Sequence, residues 1–404
     1  MLKDILQRIR QLVKDLFFQD GEQTGKIGRI KSIDAFRGLA IALMIAVDNQ
    51  GNVQRFYPQM RHATWNGITL ADFAFPIFVF IAGLVVPYAI NKRMSKGDSV
   101  FKIVGYICSR SIGLFLTGLF LNGFPMYDLS SIRIMGVLQR ISIAYFVASI
   151  VTLLGMYLIK NKKLLSLRYI SNYSIAFGIV LFYFWLFKGS FSQNGNLAQL
   201  IDLKYLKPQH MYTPTWDPEG LLGSISTCAS ALFGSAMGLV LMDNRLKKCV
   251  KVLGLILVGV ITLEFARKFN FVFPYNKNLW SSSFVLLTSG TGFVVGSLLY
   301  LIIDVIQYDF LSKPFAALGS NPFFIYVSSE LIRKALWMIP ITDKETHARM
   351  YLNTWITTKY ITPWAGIKLD SFYFAVFYVV VWMFIMIHSY DRKRLLQKTS
   401  EATR

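Results

Sequence analysis

Apolar residues dominate runs of about 20 positions from residue 35 onward, broken by short clusters of Lys, Arg, Asn, Asp and Pro. Wound at 1.5 Å per residue, a run of that length crosses the ~30 Å hydrocarbon layer of a bilayer as a helix. Such runs fall at 35–52, 68–90, 101–123, 132–159, 168–187, 221–242, 249–265, 279–303, 315–336 and 372–388. The pattern predicts an all-α fold: a polytopic membrane helix bundle of about ten transmembrane helices. Residues 1–18 read differently. Leu2, Ile5, Ile9, Leu12, Val13 and Leu16 share one helical face, with Arg8, Arg10, Lys14 and Asp15 between them. That arrangement fits an interfacial amphipathic helix or a basic cytoplasmic tail. The expected organisation is an amphipathic and basic segment over 1–31, a membrane domain over 32–390 and a basic tail over 391–404.

Composition agrees with this reading. The 404 residues are 54% hydrophobic and only 16% charged, with a mean hydropathy of +0.45. A soluble domain carries roughly a quarter of its residues as charges, so a water-soluble enzyme is excluded. The net charge of +21 on a soluble domain would point to nucleic acid. Here it sorts by helix parity instead. The segments 91–96, 160–168 and 244–251, the tail from 391 and the stretch before Ser32 are dense in Lys and Arg. The alternate loops, 51–67, 122–131, 188–219, 267–277 and 333–370, are longer and richer in Trp, Tyr, Pro and Asn. The positive-inside rule then places both termini in the cytoplasm, with membrane lipid rather than nucleic acid as the partner. Cys108, Cys228 and Cys249 lie in or beside apolar runs without metal spacing, so neither a disulfide framework nor a metal site is expected.

Polar residues converge on the face opposite the basic loops. Asp48 and Asn49 end the first span there, Asp72 begins the second, and His62, Trp65 and Asn66 lie in the loop between. Trp216, Asp217 and Glu219 precede the sixth span; Asn276, Lys277, Asn278 and Trp280 lead into the eighth. Indoles beside carboxylates and amides suit a sugar, whose apolar faces stack on rings while its hydroxyls need donors and acceptors. Asp217 and Glu219 equally fit N-terminal caps of the sixth helix. His62 is the group best suited to proton transfer near neutrality.

On the basic side, Arg37 follows Asp34 by one turn, Arg110 lies inside the third span, and Gln139 and Arg140 lie inside the fourth. Arg133 and Arg140, seven residues apart, would share one helical face. An arginine at that depth needs an anion. The candidates are Glu264 and Glu330, or the phosphates of a ligand entering from the cytoplasm.

Longer motifs then stand out: Arg29–Ala40, with the core Ser32-Ile33-Asp34-Ala35-Phe36-Arg37-Gly38; Arg61-His62-Ala63-Thr64-Trp65-Asn66-Gly67; and Ala71-Asp72-Phe73-Ala74-Phe75-Pro76. Gly136-Val137-Leu138-Gln139-Arg140, Asp217-Pro218-Glu219-Gly220 and Asn276-Lys277-Asn278-Leu279-Trp280-Ser281 follow. In these motifs the chain resembles the heparan-alpha-glucosaminide N-acetyltransferase family. The resemblance implies a multipass enzyme that takes acetyl from cytosolic acetyl-CoA and delivers it to a glucosamine amine across the membrane. The family's active-site histidine falls on His62, and its active-site asparagine matches Asp48 or Asn49. Asp72 would orient the imidazole or the sugar. The donor's anionic groups are expected at Arg37, Arg110, Gln139 and Arg140. A homodimer in a bacterial inner membrane is also implied, with an amino sugar or oligosaccharide as acceptor and no metal. An amino-sugar permease and an O-acyltransferase of an envelope polysaccharide are the competing functions.

Overall fold

The computed structural model describes residues 30–402 apart from 53, 188–189, 309–311 and 344–346, with side chains described to residue 390. The amphipathic pattern expected over 1–18 lies outside the described residues. In chain order the helices are α1 (Lys31–Asp48), α2 (Ala71–Leu84), α3 (Val86–Met94), α4 (Val100–Gly123), α5 (Val137–Leu158), α6 (Ser166–Leu186), α7 (Leu197–Tyr205) and α8 (Leu221–Met242). They continue with α9 (Lys248–Phe269), α10 (Ser282–Tyr300), α11 (Ser312–Gly319) and α12 (Pro322–Leu336). A two-stranded antiparallel ribbon follows, β1 (Pro340–Thr342) with β2 (Arg349–Tyr351), pairing Ile341 with Met350. The chain ends in α13 (Leu352–Ile356), α14 (Thr362–Ala365) and the long α15 (Asp370–Ala402). The fold is helical, as the apolar periodicity requires; the ribbon is an addition that periodicity did not announce.

Among the described residues, eight helical stretches are long and apolar enough to cross a membrane, and the chain is a multipass membrane protein. They are Ala71–Met94, Val100–Gly123, Val137–Leu158, Lys162–Leu186, Leu221–Met242, Lys248–Phe269, Ser282–Val305 and Asp370–Tyr390. The other two expected spans differ for physical reasons. α1 carries Lys31, Asp34, Arg37 and Asp48 within 18 residues. The run 315–336 divides at Asn321, with Pro322 at the first turn of the next helix. The resulting 15-residue α12 reaches only about 22 Å at 1.5 Å per residue. The run 68–90 also divides, into α2 and α3 meeting at Val85.

The chain forms two compact units. The described residues of the first are Thr64–Gly67 and Pro76–Gln307. Its centre is α8, whose small residues are buried along nearly the whole helix. Close backbone approach explains that composition: a Cβ on Gly234 would lie 1.8 Å from the Phe80 carbonyl oxygen, and one on Gly83 equally close to that of Ala231. Within hydrocarbon, helices gain little from apolar burial against each other, so small residues and short polar bonds hold the contact. The Thr152 and Ser235 hydroxyls bond at 2.7 Å, and the Asn172 amide donates to both, at 2.9 and 3.0 Å.

The second unit comprises Lys31–Ala63, Ile68–Phe75 and the chain from Tyr308. Here α1 and α11 touch through backbone. A Cβ on Gly38 would meet the Phe315 carbonyl oxygen at 1.8 Å, and one on Gly319 that of Asp34 at the same distance. Gly51 and Asn52, just past α1, are held by Asn353 and by Ser371 at the start of α15.

Candidate active site

Two polar clusters form, one in each unit. In the second unit, His62 Nδ1 lies 2.8 Å from Asp72 Oδ1. The imidazole is 42% exposed whereas the carboxylate has no exposure. Asp72 is the second residue of α2, and its other oxygen accepts from the backbone N–H of Thr69 at 2.9 Å and of Ala63 at 3.2 Å. The Thr69 hydroxyl, also within 3.1 Å of that oxygen, donates to the Arg61 carbonyl at 2.8 Å. One carboxylate therefore folds the His62 loop onto the start of α2. A carboxylate can only accept, so Nδ1 carries the proton in the neutral ring and Nε2 is its basic nitrogen.

Asp48 and Asn49 lie in the same unit. Asn49 is buried, its amide returning to the Ile45 carbonyl at 2.9 Å; Asp48 is exposed at the end of α1. Arg37 is committed within α1 and α11: its guanidinium donates to the Gly319 carbonyl and lies 3.6 Å from Asp34.

The first unit holds a larger cluster. Arg133 grips Asp217 through two parallel bonds, Nε to Oδ2 at 2.9 Å and Nη2 to Oδ1 at 2.6 Å, and reaches Glu219 at 2.5 Å. Burial pulls the Arg133 guanidinium down, but Asp217 and Glu219 more than offset it and hold it above its ordinary value. Burial pushes Glu219 up; Arg133, Arg140 and Lys277 together bring it below the ordinary carboxylate range. Asp217 also takes the Tyr212 and Glu219 backbone N–H groups, so it is a local turn anchor and an ion-pair partner at once. Arg133 precedes α5, whose first residue is Val137, so it does not share a helical face with Arg140. Glu264 pairs with Arg267 and Glu330 with Arg333, each at i,i+3. The acids proposed as partners for the span arginines are thus engaged with neighbours on their own helices.

Trp65 and Trp216 pack edge to face with centroids 5.1 Å apart, and the Trp65 indole donates to the Phe191 carbonyl. The Asn276 amide donates to Asn66 at 3.1 Å, Asn278 reaches the Thr64 carbonyl, and the Gly67 N–H donates to the Tyr275 carbonyl. Of the loops expected to converge, 64–67 and 275–278 are joined by hydrogen bonds, and Trp216 meets them through the Trp65 ring. Trp280 sits elsewhere: it is fully buried, adopts φ +52°, and its indole faces Ser230 at 3.3 Å. Arg140 lies 5.0 Å from the Trp280 ring centroid and donates to the Gly220 carbonyl at 3.1 Å. It is 1% exposed, and its Nε and Nη1 have no hydrogen-bond partner among the described residues. Gln139, also buried, donates to the Ile134 carbonyl. Arg110 is exposed on α4, bonded to the Tyr106 hydroxyl at 3.3 Å and 5.1 Å from the Tyr145 ring centroid.

Two members of this cluster were not among the expected site residues. Spacing alone sets Arg133 on one face with Arg140, whereas its partners lie 84 and 86 positions away. Asp202 on α7 receives the Leu221 N–H at 2.8 Å and so caps α8 from a distance. Burial, with the Asp217 charge adding to it, pushes Asp202 up to about 6. Its only sequence signal was an acid in an amphipathic loop helix. Among the described residues no group of three or more metal-binding side chains gathers.

A bundle of apolar helices carrying buried ion pairs and a carboxylate-held histidine defines a multipass membrane protein with a polar site of enzymatic type. The family profile for the heparan-alpha-glucosaminide N-acetyltransferase catalytic region matches residues 29–191. The human heparan-alpha-glucosaminide N-acetyltransferase is 30% identical over 377 residues, which cover 79% of this chain and 55% of the human protein. The mouse enzyme of the same name is 28% identical over 397 residues, covering 84% of this chain and 59% of its own. The chain thus spans little more than half the length of the curated relatives it matches. Over most of its length it is similar to enzymes named heparan-alpha-glucosaminide N-acetyltransferase.

Proposed function

We propose that this protein is a transmembrane N-acetyltransferase that moves acetyl from cytosolic acetyl-CoA to the amine of a glucosamine-type sugar on the extracytoplasmic side. The reading adds a bacterial inner membrane as the location, with both termini in the cytoplasm. The observation that carries it is the His62–Asp72 pair, a partly exposed imidazole oriented by a buried carboxylate, in a chain similar to enzymes named for this reaction.

A glucosaminium has no lone pair and must lose a proton before its nitrogen attacks. His62 Nε2 takes that proton, and the buried Asp72 carboxylate stabilises the imidazolium that forms. The amine then attacks the thioester carbonyl, a C–N bond forms, the C–S bond breaks, and the CoA thiolate leaves with the electron pair. The nitrogen, cationic once the C–N bond has formed, gives its second proton to the thiolate, and the imidazolium releases the first to water, which restores the base. Trp65, Trp216, Asn66 and Asn276 supply ring faces and amides for the sugar, with Asn278, Lys277, Asp217 and Glu219 at its polar edge. Arg110, Arg140 and Gln139 serve the donor.

The test is purified protein in liposomes given acetyl-CoA and glucosamine, with free CoA and acetylated sugar measured alongside the His62→Ala variant. Sugar accumulation in the vesicles without CoA release would overturn the reading in favour of transport.

A further inference from the structure

A basic pocket of about 540 Å³ opens in the first unit where α3 ends and α4 begins. Lys92, Arg93, Lys96, Lys102, Asp98, Tyr106 and Ala89 line it. Four cations face one carboxylate, a surplus of three positive charges in a concavity of small-molecule size.

The charges are arranged rather than scattered. Asp98 bonds Arg93 at 3.0 Å and Lys102 at 2.7 Å. The Lys102 bond, with Arg93 adding to it, holds the Asp98 carboxyl below its ordinary range, so the carboxylate stays ionised. The Arg93 guanidinium also lies 3.6 Å from the Tyr106 ring centroid. Arg93 is therefore held by a carboxylate on one side and an aromatic face on the other, which lowers the cost of fixing it for a ligand. Lys92 lies in the last turn of α3 and Lys96 four residues on, in the turn that follows, and neither has a carboxylate partner among the described residues. Like charges at that spacing repel, a cost that an anion between them removes. The positive-inside rule accounts for basic residues in this loop, but not for their convergence on a pocket with an aromatic wall.

We infer that this pocket binds a phosphate group whose attached moiety lies against Tyr106. A phosphate offers more acceptor oxygens in a tetrahedral array and so meets several cations at once better than a single carboxylate does. Two sources carry that chemistry. One is the headgroup of an anionic phospholipid, for which Phe101, 89% exposed beside Lys102, offers an apolar flank to the acyl chains. The other is the phosphate of a nucleotide-type ligand, whose base would stack on the ring. The site does not depend on the acyl-transfer reading, because its test measures binding and not turnover.

The test compares the full chain with Lys92→Gln/Lys96→Gln, both exposed positions, and with Lys160→Gln/Lys163→Gln, which removes two cations of another basic loop. Native mass spectrometry measures phosphatidylglycerol retained from phosphatidylcholine–phosphatidylglycerol nanodiscs. Equilibrium dialysis measures adenosine 3′,5′-bisphosphate. Loss of affinity of about tenfold or more in the Lys92/Lys96 variant alone is expected for one probe, and the probe affected names the source. Binding of neither probe, or equal loss in both variants, would overturn the inference and leave the cations with a topological role.

Discussion

Asp72 has no exposure and yet supplies one oxygen to the partly exposed ring of His62, at 2.8 Å, and the other to two backbone N–H groups. The buried carboxylate thus sets both the loop's position and the tautomer of the ring. Asp72→Asn keeps the size but offers an N–H in place of a lone pair, which moves the proton to the wrong ring nitrogen. The expected result is a fall of about 10²–10⁴-fold in kcat for CoA release, with KM for the sugar little changed. His62→Ala should reach the same floor. A variant pair whose losses multiply would show that the two groups act separately.

Arg133 is the counter-charge of two buried carboxylates, Asp217 and Glu219. Removing it leaves Asp217 without its ion pair and Glu219 with only the charges of Arg140 and Lys277, so Arg133→Ala should cost about 3–5 kcal/mol of stability. Arg133→Lys should recover only part, because an ammonium cannot make the paired bonds that Nε and Nη2 make to Asp217. Thermal unfolding in detergent checks the order wild type, Lys, Ala; an alanine variant as stable as wild type would remove the pair from the structural account.

Gly234 and Gly113 are both helical glycines with opposite surroundings. A methyl at Gly234 meets the Phe80 carbonyl at 1.8 Å, whereas at Gly113 nothing lies within 4 Å. Gly234→Ala must force α2 and α8 apart and should lower expression and unfolding temperature sharply. Gly113→Ala should stabilise by up to about 1 kcal/mol through helix propensity alone. Fluorescence-detected size-exclusion after a heating series separates the two.

Asp202 makes stability depend on pH. Its carboxyl is pushed up from 3.8 to about 6, first by burial and then by the Asp217 charge, against the Leu221 N–H and Arg140. A folded-state value above the unfolded one means the native state holds the proton more tightly. That contribution is complete below the unfolded value and is lost as pH rises through about 6. A rise of this size corresponds to at most about 3 kcal/mol. Asp202→Asn keeps an acceptor for Leu221 without the charge. Its unfolding temperature should therefore gain on wild type as the pH rises from about 4 to about 7, and a constant difference would locate the pH dependence elsewhere.

The span 221–242 is the same in sequence and structure because α8 is apolar or small throughout and ends at Asp243. Elsewhere the apolar runs locate helices while Pro and Gly set the ends. The run from 132 starts as helix only after Gly136, and the run from 315 breaks before Pro322. The His62–Asp72 pair was legible because ten residues of loop and one helix start bring the two together locally. The Arg133–Asp217 pairing, the Asp202 cap and the burial of Trp280 were not. Each depends on which helices pack side by side, and hydrophobic period carries no information on that. Trp280 in particular has the flanking Asn and Lys of an interface anchor, yet its backbone adopts a positive φ and its ring is buried 5.0 Å from Arg140.

Arg140 separates stability from function. A buried guanidinium with Nε and Nη1 lacking partners costs more to desolvate than its bond to Gly220 and its contact with Trp280 return. A residue kept at such a cost in a folded core points to an acceptor that arrives with a ligand. Arg140→Met fills similar volume and removes the unpaired Nε and Nη1 at the cost of one cation near Glu219, so the apo protein should unfold at about the wild-type temperature. Under the acyl-transfer reading, the rise in unfolding temperature that acetyl-CoA produces in wild type should shrink or vanish in the variant, and CoA release should fall at least about tenfold. A destabilised variant that keeps both the ligand-induced rise and the turnover would make Arg140 a structural partner of Glu219 and Asp217, whose charges reach it across the same cluster.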